Sequence, residues 1–325
     1  MIGIVTINDY SNLGNRLQNY AMYTILSKYD ETYNIVRFYG SGGVKDGDCY
    51  KPSLVKNILR VPYHMALSIK SSLTNHNQYL LAKEREKFLA VGTTPIISPY
   101  DLVETCFDKY RMYKLLQEMN IPTGRCYVDL ESFFRDKEAG LISYPVFVKP
   151  VKGSASININ KVSSDEEIRV LFHLYDNLMI QEFMDGQEYG ADVYIDMISG
   201  KCTSIFVKKK IKMRAGETDK SVSFKDPELF TMIQNFVEKC GFCGMIDIDI
   251  FKINGVYYIS EVNPRFGGGY PHAYESGVNM PAQVIANLAG EENSVTIGQY
   301  EEGICMMKYN EVAIVRLKDE EIVEG

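Results

Sequence analysis

Two alternating runs in "MIDIDIFKINGVYYISEVNPRFGGG", residues 245–269, are joined by Asn254-Gly255, a dipeptide suited to the positive φ angles of a two-residue hairpin turn. Pairing Ile253 with Val256 and counting outward sets Asp249 opposite Ser260, one step from Glu261. Asp249, Glu261 and Asn263 then crowd one end of two adjacent strands. Two carboxylates and an amide are hard oxygen donors, which suit Mg2+ (or Mn2+) held jointly with substrate phosphates better than they suit zinc. Arg265 follows two residues later, ahead of three glycines. A guanidinium, a cation site and a backbone open to close approach together suggest a phosphoryl group. Taken alone, the acids read equally well as an edge strand facing water.

Three further stretches carry chemistry of the same kind. In "VFVKPVKGSASIN" a strand delivers Lys149 into a loop of small residues, Gly153, Ser154, Ala155 and Ser156. Backbone N–H groups there approach an anion and lysine supplies charge. The spacing is not that of a P-loop. In "MIQEFMDGQEY" an apolar strand leads into Gln181, Glu182, Phe183 and Met184, with Glu188 six residues after Glu182. Such a connector reads an adenine through its backbone and a ribose through a carboxylate, although an exposed acidic turn is the plainer reading. In "VKKKIKMRAGETDKSVSFK" strict alternation sets Lys208, Lys210, Lys212 and Arg214 on one strand face, a row that repels itself unless an anion or water screens it.

Other reactive residues read more plainly. Cys240 and Cys243 form a CxxC, but it closes a helix, "PELFTMIQNFVEKC", instead of opening one; a helix-to-strand turn explains it better than redox chemistry. His272 lies beyond the metal strand, where it either touches an acceptor or is structural.

These residues need elements to hold them. The first third reads as a strand at 2–7, a helix near 13–28 and a strand near 34–39, a parallel α/β unit. A helix "PYDLVETCFDKYRMYKLLQEMN" stops before Pro122, and helices near 130–139 and from Asp165 alternate with the strands "PVFVKP" and "LMIQEFM". Beyond Gly186 the pattern is mostly β. Boundaries near residues 90 and 185 divide the chain into an N-terminal lobe (1–90), a linker helix with a small subdomain (91–185) and a larger subdomain with the metal site (186–325).

The 325 residues carry a formal net charge of -7, with 46% hydrophobic and 24% charged residues. That balance is ordinary for a globular chain and argues against a nucleic-acid partner. No apolar run is long enough to span a membrane. The N-terminal residues lack the signal-peptide pattern, and the seven cysteines are an odd, scattered set; both point to a cytoplasmic protein with free thiols. An oligomer is compatible with all of this.

In their order along the chain, "KP…GS.S", "QEF..G.EY" and "EVNPR" resemble the ATP-grasp superfamily over about residues 83–310, most closely its carbamoyl-phosphate-synthase-like and carboxylate-amine ligase branch. The resemblance implies an α/β fold, with a Rossmann-like N-terminal lobe followed by two α+β subdomains. It also implies that Lys109 and Lys149 hold the ATP phosphates under the Gly153–Ser156 loop, that Gln181 to Met184 form the adenine hinge and that Glu188 meets the ribose. Asp249, Glu261 and Asn263 would bind Mg2+, Arg265 would stabilise the transferring phosphoryl group, and Lys210 or Arg214 would assist at the phosphates. Such a protein is an ATP- and Mg-dependent ligase acting on a small carboxylate and an amine-type acceptor. The front of the chain departs from this pattern: "NLGNRLQNYA" resembles the start of polysaccharide pyruvyl transferases. An ATP-binding protein without catalysis is therefore the alternative, and a pyruvyl transferase the remotest one.

Overall fold

The computed structural model describes residues 2–5, 32–35, 74–152, 160–214, 217–309, 316–318 and 321–323. The chain divides into two compact units, Met1–Leu73 with Lys308–Gly325, and Thr74–Met307. In the first unit, strands β1 (Ile2–Val5) and β2 (Thr32–Ile35) pair in parallel, as an α/β lobe requires. Two short strands, Arg316–Lys318 and Glu321–Val323, pair antiparallel. The helix expected at 13–28 and the "NLGNRLQNYA" segment lie outside the described residues.

The second unit opens with helices α1 (Thr74–Lys83), α2 (Arg85–Ala90), α3 (Tyr100–Phe107) and α4 (Lys109–Glu118). The single helix expected across residues 99–120 is thus two. Asp108 breaks it with an extended backbone (φ -100°, ψ 99°), and its carboxylate accepts the Arg111 N–H at 3.0 Å. An aspartate at that position satisfies a helix N-terminus better than a helix interior. The break lets Lys109 N–H donate to the Val151 carbonyl at 3.0 Å, beside an antiparallel bridge between Asp108 and Lys152.

Next comes a four-stranded antiparallel sheet of β3 (Cys126–Tyr127), β4 (Val146–Pro150), β5 (Asn160–Val162) and β6 (Leu178–Glu182), in the order β3-β6-β4-β5. Val146, Val148, Val162 and Ile180 are buried with Phe133 of α5 (Leu130–Glu138) and Ile168 of α6 (Asp165–Leu174). Asp129 caps α5 and Ser164 caps α6, each accepting a backbone N–H of the first turn.

The larger sheet is antiparallel throughout, with β7 (Gln187–Ile195), β8 (Cys202–Arg214), β9 (Glu217–Phe224), β10 (Gly244–Ile253), β11 (Val256–Asn263) and β12 (Cys305–Met307) in the order β11-β10-β7-β8-β9-β12. Alternation along β10 sends Ile246, Ile248 and Ile250 into the main core. There they meet Leu229, Ile233, Phe236 and Val237 of α7 (Pro227–Cys240). Each such side chain contributes about 1.5–3 kcal/mol on burial. Pro227 starts that helix and Gly241, at φ 74°, ends it. Cys243 exchanges hydrogen bonds with the Ser98 hydroxyl, so the CxxC is the helix-to-strand turn read from the sequence. The opposite face packs Tyr194 and Phe206 against α8 (Tyr270–Glu275) and α9 (Met280–Leu288). Among the described residues no helix is long and apolar enough to cross a membrane.

Asp196, just past β7, fastens α9 to this sheet. One carboxylate oxygen accepts from the backbone N–H groups of Ile198 (3.0 Å) and Ser199 (2.8 Å), and the other from Asn287 Nδ2 (2.6 Å) and from the backbone N–H and side-chain Nδ2 of Asn293 (both 2.9 Å). Burial alone would raise the carboxyl's pKa. The hydrogen bonds from Ser199, Asn287 and Asn293 outweigh burial and hold it well below the usual range. Asp196→Ala should therefore lower the unfolding free energy at neutral pH by about 2–3 kcal/mol in urea denaturation. Because the folded-state pKa is depressed, this contribution is fully present above about pH 4, the unfolded carboxyl value, and is lost as pH falls through the folded one.

Candidate functional site

The hairpin pairs regularly from Ile253–Val256 to Ile250–Ile259 and then slips by one residue at a bulge. Beyond it Asp249 faces Glu261 and Asp247 faces Asn263, which corrects the expected Asp249–Ser260 register. The slip also changes the phase of β11. Tyr257 and Ile259 are buried in the main core, and strict alternation would send Glu261 after them; instead Val262 takes the core position. The extra residue puts Glu261 on the face of Asp249.

The register continues across the sheet. Asp249 lies opposite Gly190 on β7, and Gly190 opposite Lys208 on β8; two pairs further along, Asp247 lies opposite Asp192. Lys208 and Asp192 are both buried and form an ion pair. Lys210, also buried, donates to Glu188 Oε1 at 2.7 Å and to Asp249 Oδ1 at 2.5 Å. Burial alone would lower the pKa of Lys210, but these two carboxylates hold it above the ordinary lysine value. A bulge after Lys210 breaks the expected row of four cations. Past it Lys212 faces Lys220, while Arg214 pairs with the buried Asp219 at 2.9 Å.

Asp249, Glu261 and Asn263 come together as the sequence suggested. Among the described residues no three His, Cys, Asp or Glu side chains gather tightly enough to hold a metal by themselves. Two carboxylates and an amide on one face, with further ligands drawn from water or phosphate, remain a donor set that suits Mg2+. Sequence reasoning missed Asp247 and Asp192, and it read Lys208 only as one of a row of cations. Alternation in "DID" was enough to place Asp247 beside Asp249, whereas Asp192 required the β7–β10 register. Burial and the carboxylates of Asp249 and Asp192 push Asp247 up to about 7.

From the smaller sheet, Lys149 is buried near the end of β4. Burial lowers the pKa of Lys109, the Glu261 carboxylate opposes that shift and the Lys149 ammonium adds to it. Glu261 and Lys149 therefore each lie within electrostatic reach of Lys109. The small-residue loop Gly153, Ser154, Ala155 and Ser156 falls outside the described residues. At the end of β6, Glu182 Oε2 accepts the Arg125 backbone N–H at 3.0 Å, and Glu182 N–H donates to the Arg125 carbonyl at 2.9 Å. Gln181 and Met184 are buried. The Phe183 ring lies tilted at 53° against Phe147, with centres 5.4 Å apart, and the Lys161 ammonium is 4.1 Å from the Phe183 ring centre.

Arg265 Nη1 donates to the Phe266 carbonyl at 2.9 Å and lies 3.7 Å from Asp247 Oδ2. Two of the three glycines that follow leave no room for a side chain: a Cβ on Gly267 would meet Asp247 Oδ1 at 2.5 Å, and one on Gly269 would meet Lys208 Cε at 2.8 Å. His272 is buried with both ring nitrogens engaged. Its Nε2–H donates to the Ile304 carbonyl at 2.9 Å, which leaves Nδ1 to accept the Ser221 hydroxyl at 2.8 Å. That arrangement is structural.

The model of the ATP-grasp domain matches residues 106–269, half of the chain. The arginine-specific carbamoyl phosphate synthase large chain of Geobacillus stearothermophilus is 23% identical over 221 residues, covering 65% of this chain and 21% of the relative. A D-alanine–D-alanine ligase of Acetivibrio thermocellus is 26% identical over 209 residues, covering 54% and 53% respectively. The chain thus spans about a fifth of the first relative and half of the second. In fold it is similar to the biotin carboxylase domain of Hydrogenobacter thermophilus 2-oxoglutarate carboxylase, solved with MgADP and bicarbonate. The TM-score is 0.60 at 15% identity, over 93% of this chain and 67% of that one.

The role of His272 has a pH signature. Burial, against the hydrogen bond to Ile304, holds its pKa below the ordinary histidine value, so as pH falls the unfolded chain takes up the proton first. The contribution of His272 to stability should rise with pH up to about 6.5 and then level off. In urea titrations across about pH 5–8, His272→Gln should remove that slope while lowering stability at the alkaline end by about 1–2 kcal/mol.

Proposed function

The chain belongs to the ATP-grasp family, and from that premise we propose that it is an ATP- and Mg2+-dependent ligase. It activates a small carboxylate as an acyl phosphate and passes the acyl group to an amine or similar nucleophile. One observation carries the reading: Asp249 and Glu261 form a single cross-strand pair, and Lys109 lies within electrostatic reach of both Glu261 and Lys149. Donors for a hard cation thus adjoin cations for phosphate. The relatives include a D-alanine–D-alanine ligase, which supports the same class of chemistry. A cytoplasmic setting belongs to this proposal.

Lys109 and Lys149, with the Gly153–Ser156 segment, hold the triphosphate. Gln181, Glu182, Phe183 and Met184 receive the adenine, and Glu188 the ribose hydroxyls. Asp249, Glu261 and Asn263 hold Mg2+, which supplies charge neutralisation on the phosphates when bound. A carboxylate oxygen of the substrate attacks the γ-phosphorus, and the bond to the ADP oxygen breaks as the new P–O bond forms. Arg265 faces the charge that gathers on the transferring group. The amine nitrogen then attacks the acyl carbon, phosphate leaves with the electron pair of the C–O bond, and the amine's surplus proton passes to water. The chain contributes positioning and charge, with no side-chain nucleophile.

ADP release measured over a panel of small carboxylates paired with amines tests the proposal. Turnover with one pair is expected, and ATP binding without ADP release from any pair would overturn it in favour of a nucleotide-binding protein. With an active pair in hand, Glu261→Gln should reduce kcat/KM for Mg-ATP by at least about tenfold, or about 1.4 kcal/mol, because a charged ligand becomes neutral. Unchanged turnover would put the metal elsewhere.

A further inference from the structure

Lys210 joins two acids to which the proposed function gives different ligands, Glu188 for the ribose and Asp249 for the metal. Its side chain is 5% exposed, while each carboxylate is 27% exposed. The ammonium therefore lies inside, with the acids as an outer lip. Gly190, between Glu188 and Asp192 on β7, makes room for it: a Cβ there would lie 3.2 Å from Lys210 Cε and 3.0 Å from Lys208 Cε.

We propose that Lys210 is an internal counter-cation that reserves Asp249 for metal arriving with nucleotide. The inference rests on the assignment of Asp249 to the metal. A carboxylate oxygen hydrogen-bonded to a buried ammonium at 2.5 Å is a poor ligand for a second cation, because the two positive charges repel at short range. A bound nucleotide, diphosphate or triphosphate, alters that balance. Its oxygens offer the ammonium of Lys210 a new anionic partner and its ribose hydroxyls offer one to Glu188, so the contact with Asp249 is released as the phosphates arrive. Free metal binds weakly, metal and nucleotide bind cooperatively, and by linkage each raises the affinity for the other by the same factor.

Mn2+ binding to the full chain, followed by electron paramagnetic resonance with and without ADP against a protein-free baseline, tests this without reference to turnover. In the wild type, ADP should tighten Mn2+ binding by at least about tenfold. Lys210→Met should tighten nucleotide-free Mn2+ binding by about the same factor and shrink the ADP-dependent gain. Lys210→Gln, which removes the charge but keeps a polar end, should do likewise if the methionine variant fails to fold. Adding Glu261→Gln to either variant should abolish the gain. Wild-type Mn2+ binding that is indifferent to ADP overturns the proposal. So does unchanged nucleotide-free affinity in the Lys210 variants when Asp249→Asn still weakens Mn2+ binding with ADP; in that case the metal assignment stands. Indifference to both Asp249→Asn and Glu261→Gln in every background overturns the metal assignment and, with it, the inference.

Discussion

A single inserted residue in β11 underlies the chemistry of this chain. Side chains of a strand alternate with a period of two, so a strand that buries Tyr257 and Ile259 commits Glu261 to the same apolar core unless the alternation is interrupted. A buried, unpaired carboxylate there would be severely destabilising. The bulge between Ile259 and Glu261 resolves the conflict locally, returning Val262 to the core and setting Glu261 across from Asp249. Core packing and the candidate metal site are thus two results of one backbone irregularity.

Charge is handled by pairing across strands. The polar face of the larger sheet carries Glu188, Asp192, Asp247 and Asp249, and it answers them with Lys208, Lys210 and Arg265. Buried pairs of this kind seldom add net stability, since removing the charges from water costs about as much as their attraction returns. What they supply is fixed direction. Each lysine is held by named carboxylates before any ligand is present.

Much of this was legible in the sequence. Asn254-Gly255 adopts the left-handed φ values of 49° and 86° that the hairpin reading required, and the three motifs led to the family whose domain model matches. What was not legible follows from the limits of local pattern. Periodicity assumes an unbroken strand, so neither the bulge before Glu261 nor the one after Lys210 was visible; the first set Glu261 on the face of Asp249, and the second put Lys212 opposite Lys220. Helical periodicity likewise ran through Asp108, where a hydrogen bond to Arg111 and contacts with Val151 and Lys152 decide the break. The Lys208–Asp192 pair joins residues sixteen apart through β-pairing, which no single stretch announces.

Gly190 constrains how the site can drift over evolutionary time. Two lysine stems cross it, one committed to Asp192 and the other to Glu188 and Asp249. A single added methyl would press on both at once, so its effect would depend on both lysines and on the acids they serve. Substitutions at these six positions are therefore expected to be epistatic, and the polar face should change as a block or hardly at all.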